Sequence, residues 1–125
     1  MNELWILKRL LANGPLTAMP KRPDDQVLIA RLAGTRFKAD RAYREADVNE
    51  KLKDWLATFS APYGIDHVTL RRFMVDMQVL ARDRSGSTYR LNSASLEGVD
   101  VSLDPARILA EASAEREARR RRHVH

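Results

Sequence analysis

The chain has no cysteine, which excludes disulfides and thiolate metal sites alike. That absence fits a reducing cytosol, and a cytoplasmic location is expected. Long hydrophobic runs are also missing. The start, MNELWILKRLLANG, is the one candidate for a targeting or membrane segment. Lys8 and Arg9 cut its apolar run well short of the ~20 residues a bilayer requires, and no small-residue cleavage site follows. No membrane partner is expected.

Catalytic constellations are lacking as well. No Ser-His-Asp set, paired carboxylates or histidine cluster emerges. Asp24 and Asp25, like Asp47 and Glu50, stand at helix beginnings, where acidic residues favour the helix dipole. His67 stands alone at a helix start. His123 and His125 make at most a weak metal site at the chain end. Neither an enzyme nor a cofactor or metal is expected.

What remains is a chain of 125 residues with 44% apolar content, enough for one domain with a workable core. Its net charge of +5 is unevenly spread. Residues 116–122, REARRRR, carry +4, so the rest carries only +1. Residues 61–91 are +2 and 92–115 are −4. The alkaline pI is mostly a property of the arginine-rich tail, and it says little about the folded body.

Residues 2–12 read as a short helix that is apolar nearly all round through Leu4, Trp5, Ile6, Leu7, Leu10 and Leu11. Such a helix must be buried, on the body or against a second copy. NGPLTAMPKRP then reads as a stop and linker. PDDQVLIARLAG predicts a helix with acidic residues at its start and Gly34 at its stop, and Phe37 is expected beneath it. RAY at 41–43 is a candidate short strand. EADVNEKLKDWLATF places Val48, Leu52, Trp55, Leu56 and Phe59 at helical spacing. SAPYG breaks that pattern, and Asp66 is an N-cap for a helix over DHVTLRRFMVD. ARDRSGSTYRL predicts two short strands about a Ser85-Gly86 turn. LEGVDVSLDP is expected to add an extended segment. A last helix then begins at Asp104-Pro105, with Leu103 and Ile108 placed as a staple. Glu115–Arg119 and Glu117–Arg121 are i,i+4 pairs that can support it, and its end is expected to fray.

Helix, short strand, helix, turn, helix and β-hairpin is winged-helix order. The expected class is therefore α+β, mainly helical: a winged helix-turn-helix with extra N- and C-terminal helices. Residues 1–20 would form an N-terminal helix and linker, 21–91 the winged helix, and 92–125 an extended segment, a helix and the basic tail.

The same stretches resemble the bacterial domain-of-unknown-function family 2087. The matching residues are Val48 and Asn49, then Thr69, Leu70, Arg71 and Arg72, then Val75 and Asp76, with Arg82, Gly86 and Tyr89 in the hairpin. The resemblance covers roughly residues 21–91. It implies a winged-helix-like domain, found alone or appended to transcriptional regulators of the arsenical-repressor type, and no enzymatic activity. This chain departs from the pattern twice. Gln78 stands where Gly is expected before the hairpin, so a different helix exit is expected. The ATFSAPYGI loop is longer than usual, which would loosen the turn.

On a helical wheel, Leu70, Phe73, Met74 and Met77 form the core face of DHVTLRRFMVD, while Thr69, Arg72 and Asp76 make a polar stripe. Two readings follow. In one, Thr69, Arg71 and Arg72 touch double-stranded DNA, and Arg82, Arg84 and Arg90 share one wing face and reach phosphates. In the other, Arg72 pairs with Asp76 and the hairpin charges only guard a strand edge. Val68 and Val75 lie opposite the core face, to be covered by a terminal helix or a second subunit. Trp5, Leu7 and Leu11 ask for a partner, which suggests a homodimer built with the 104–115 helix. The first functional reading is a small DNA-binding regulator-like protein, with the terminal arginines adding non-specific affinity. The alternative is a non-catalytic interaction or oligomerisation module on the same fold.

Overall fold

The computed structural model describes residues 2–123. Five helices and three strands appear among them: α1 (Glu3–Leu11), α2 (Pro23–Gly34), β1 (Ala42–Arg44), α3 (Glu45–Leu56), α4 (His67–Asp76), β2 (Leu80–Arg82), β3 (Thr88–Leu91) and α5 (Pro105–His123). A 3₁₀ turn covers Ser93–Leu96. The fold is mixed α+β, and the run from α2 to β3 has the winged-helix arrangement.

Local chemistry explains most boundaries. Pro23 starts α2, where its fixed φ and missing N–H are harmless. The Asp66 carboxylate accepts the Thr69 backbone N–H at 3.2 Å and so caps α4. Asp104 does the same for α5 through the Ala106 N–H at 3.0 Å, and Ile108 is buried with Leu103 packed against the core.

The three strands form one antiparallel sheet in the order β1-β3-β2. Tyr43 lies opposite Tyr89, and Tyr89 opposite Arg82. Leu28, Ile29, Leu32, Val48, Leu52, Phe59, Leu70, Met74, Val79 and Leu80 form the centre of the core between helices and sheet. The spacing expected for α3 is therefore realised. On α4 Leu70 and Met74 are buried and Met77 packs against the core, but Phe73 is only half-buried. On α2 Leu28 and Leu32 are buried while Val27 is exposed. Gly34 is needed here: a Cβ on it would lie 2.8 Å from Val79 Cγ1 and 3.0 Å from Leu96 Cδ2, so α2 approaches the strand entry more closely than alanine permits.

Three expectations change. Leu7 and Leu11 are fully buried within their own chain, because α1 packs on α5 of the same molecule. The 104–115 helix is the right neighbour, but no second copy is needed to cover these two leucines. Residues 97–104 form turns rather than an extended strand. The basic end of α5, expected to fray, is helical to His123. Its Glu117 pairs with Arg121 at 3.7 Å as expected and also with Arg120 at 3.4 Å. Glu115 and Arg119 form no pair among the described residues.

The linker is also more than a spacer. Leu16 donates its N–H to the Phe59 carbonyl at 3.0 Å and accepts the Ala61 N–H at 2.8 Å. This strap, with Ser60 Oγ accepting the Ile65 N–H at 2.9 Å, closes the long α3–α4 loop. The extra loop length therefore does not loosen the turn.

Candidate nucleic-acid interface

The two features singled out in the sequence, α4 and the hairpin, meet at a cleft of about 320 Å³. Its wall on the α4 side carries Arg71, Arg72, Val75 and Asp76; the sheet side carries Arg82 and Tyr89, and Glu45 closes the end. Most of the polar residues that carried the family resemblance gather at or beside this cleft.

Arg71 sits at its base with only 13% of its side chain exposed. Its guanidinium donates to Asn49 Oδ1 at 2.5 Å and lies 3.1 Å from Glu45 Oε1. The same Glu45 oxygen accepts the Tyr89 hydroxyl at 3.0 Å. Burial raises the Tyr89 hydroxyl pKa, as does its bond to Glu45, against an opposing effect of Arg71. Tyr89 therefore stays a hydrogen-bond donor at neutral pH. Arg71 and Arg82 both approach its ring, at 6.0 and 5.9 Å from the centroid, within cation–π range. One carboxylate, one phenol and one guanidinium thus lock α3, α4 and β3 together.

This reverses the expected roles of the adjacent arginines. Arg71, not Arg72, is committed locally, and its partners are in α3 rather than at Asp76 one turn along. Arg72 is exposed and makes no ion pair with Asp76 or any other described carboxylate. Thr69 is also engaged: its hydroxyl and its N–H both donate to Asp66, at 3.1 and 3.2 Å. Partial burial pushes the Asp66 carboxyl up, but these bonds and the Val68 N–H outweigh it and leave the pKa lowered. Val68 and Val75 are half-buried, and Val75 packs against the core of its own chain.

The wing departs from expectation in its faces. Arg82 pairs in register with Tyr89, whereas Arg90 pairs with Ala81 and Ala42. Residues opposite one another share a face, so Arg82 points to the cleft side and Arg90 to the outer side of the sheet. Arg90 shares that outer side with Arg44, which sequence reasoning passed over. Spacing alone could not show this, because the face depends on the pairing register.

The wing tip is held by Asp83. Its carboxylate accepts the Thr88 hydroxyl at 2.7 Å, the Ser87 N–H at 2.9 Å, the Thr88 N–H at 3.3 Å and the Ser85 hydroxyl at 3.0 Å. The Thr88 hydroxyl, followed by the Thr88 N–H and the Ser85 and Ser87 donors, holds the Asp83 carboxyl far below the ordinary carboxylate range. Gly86 turns the chain at φ 75° under the Arg82 guanidinium, and an added Cβ would lie 2.5 Å from that group. Arg84 is exposed at the tip.

Other chemistry is sparse. No group of three or more His, Cys, Asp or Glu able to hold a metal occurs among the described residues. His125, one of the two tail histidines, lies outside them. No described helix is long and apolar enough to cross a membrane.

Neither the curated proteins nor the solved structures provide a significant match to the chain. The family described as "Uncharacterized protein conserved in bacteria (DUF2087)" matches residues 15–91, from the strap through the end of the wing. With well over half of its length matched, the chain belongs to the DUF2087 family.

Proposed function

We propose that this chain is a small winged-helix protein that binds double-stranded DNA in the manner of a transcriptional regulator, mainly through its wing. One observation carries the reading. Arg72, Arg82, Arg84 and Arg90 are all exposed, and none lies within ion-pair distance of a carboxylate among the described residues. Four unneutralised guanidinium groups around a winged helix fit phosphate contacts, which give affinity and register rather than base reading. The Asp83 network orders the wing in advance, which lowers the cost of ordering it on a duplex. Arg71 and Thr69 support the interface from within rather than touching DNA.

The test is fluorescence anisotropy with a labelled duplex of mixed sequence across a salt series. The quadruple variant R72Q/R82Q/R84Q/R90Q should bind more weakly and reduce the log–log salt slope by about 3–4, at about 0.9 per phosphate contact. The measurement is repeated with Arg119, Arg120, Arg121 and Arg122 changed to Gln, so that the tail cannot supply the signal. Loss of all low-salt binding in that background would sink the reading.

A second reading, a protein-interaction or homodimer module, is favoured by one observation. Trp5 is 57% exposed and Leu4 and Val27 are each 40% exposed, with Arg9 stacked 5.5 Å from the Trp5 ring. Sedimentation of the wild type and of Trp5→Ala tests it: a dimer that W5A dissociates supports the module, and a wild-type monomer at high concentration removes the homodimer.

A further inference from the structure

We infer that the projecting end of α5 is a second nucleic-acid contact, a helical basic arm that grips phosphates independently of the wing. This inference goes beyond the proposed function and does not rest on it.

The helix is divided by charge. Residues 105–115 carry one arginine and two glutamates; residues 116–123 carry five arginines and one glutamate. The first part is the anchor: Ile108 is buried, and Leu109 packs against the core. Arg116 ends the anchor by donating to the Ala12 carbonyl at 2.6 Å, where α1 terminates. Every residue from Glu117 to His123 is exposed. At 1.5 Å per residue they extend about 10 Å beyond the bond from Arg116 to Ala12.

Alanine, arginine and glutamate are good helix formers, so the extension stays helical although its charge is unbalanced. Four consecutive arginines, 119 to 122, point around the whole circumference and repel one another. Among the described residues Glu117 is the carboxylate that pairs with these arginines, and Arg120 and Arg121 share it. Arg119 and Arg122 have no carboxylate within ion-pair distance among the described residues. Cations near a helix C-terminus do gain from the dipole, but one dipole does not neutralise four charges.

The chemistry selects the partner. Charge on all sides suits a polyanion whose phosphates can surround the helix, as along a nucleic-acid groove. A membrane surface would be met by an apolar stripe on one side and charge on the other. Among residues 117–123 only Ala118 is apolar, so there is no such stripe. Arginine suits phosphate further through its bidentate fork.

The experiment compares the full chain with R119Q/R120Q/R121Q/R122Q, using the same mixed-sequence duplex and salt series. Far-UV circular dichroism confirms that the variant folds. The inference expects the arm variant to lose about tenfold or more in affinity at moderate salt and about 2–4 in salt slope. Arginine-to-lysine replacement at the same four positions should restore most of the slope. An unchanged slope in the glutamine variant overturns the inference. So does binding of the wild type to phosphatidylserine vesicles that the glutamine variant loses while its DNA affinity is unchanged. Loss in the arm variant alone, with the wing variant unaffected, would uphold the arm and reject the wing as the DNA contact.

Discussion

Arg71 and Glu45 lie 3.1 Å apart, with Arg71 in α4 and Glu45 at the first position of α3. The pair is asymmetric: the arginine side chain is 13% exposed and the glutamate 42%. Water therefore screens one partner and not the other, and the burial of Arg71 makes its removal the more disruptive change.

Arg71→Ala leaves Glu45 and Asn49 without their donor and opens the base of the cleft. Because Glu45 is partly solvated, the expected cost is about 1–2 kcal/mol rather than that of a fully buried pair. Arg71→Lys should recover only part of it, since an ammonium cannot serve Asn49 and Glu45 with the same fork. Urea denaturation of both variants checks the order. An alanine variant as stable as the wild type would show that the network is idle.

A second pair joins α1 to α2. Asp25 is 3% exposed, and Arg9 meets its carboxylate at 2.5 Å. Arg9→Ala strands a buried carboxylate and is expected to cost about 2–3 kcal/mol, discounted because Arg9 is itself a third exposed. Asp25→Asn, which removes the charge but keeps the shape, should cost less. Thermal denaturation at neutral pH gives the comparison; equal losses would contradict it.

Gln78 carries a φ of 61°. Its N–H donates to Val75 at 3.0 Å, and the Val79 N–H donates to Met74 at 2.8 Å, which is the Schellman closure of α4. That closure wants glycine at the left-handed position, so the exit keeps the glycine geometry despite the different residue. Gln78→Gly should stabilise the protein by about 0.5–1 kcal/mol once the flexibility gained by the unfolded chain is subtracted. A rise in Tm of about 2–5 °C is the expected readout. A fall in Tm would mean that the Gln78 side chain contributes more than its backbone strain costs.

Asp83 makes the wing sensitive to acid. Its carboxyl pKa is depressed in the folded state, so its contribution is complete above the ordinary carboxylate pKa of about 3.9. The contribution is lost progressively as pH falls below that value toward the lower folded one. Amide exchange of Ser87 and Thr88 should therefore stay slow at mildly acidic pH in the wild type. In Asp83→Asn it should be fast at neutral pH as well. Equal protection in the two proteins would rule out the carboxylate as the organiser of the tip.

Much of this fold is legible in the chain because its local signals agree. Val48, Leu52, Trp55 and Phe59 repeat at helical spacing, Asp66 and Asp104 are caps, and Ser85-Gly86 marks the turn between strands. The site was less legible, for a physical reason. Arg71 reaches partners 22 and 26 residues earlier, and nothing in the composition of α4 says which arginine turns inward. Asn49 offered a signal: a polar residue beside the buried Val48, half-buried itself, needs a hydrogen-bond partner from elsewhere. The face of Arg90 depended on strand register, and the partner of Leu7 and Leu11 on whether α5 could fold back within one molecule.

The hydrogen bond from Arg116 to Ala12 joins positions 104 residues apart. Synthesis at about 5–20 residues per second puts roughly 5–20 s between their appearance. During that interval α1 is made but its partner helix is not, and Leu7 and Leu11 have nothing of α5 to rest against. The nascent chain thus presents a short, greasy helix that α2 can hold through Arg9 and Asp25 but that α5 does not yet cover. Proteolysis of stalled nascent chains should find this segment susceptible until α5 has emerged from the ribosome. Docking of the first helix begins on α2 and is completed only when α5 arrives, a clasp that closes after the body it holds.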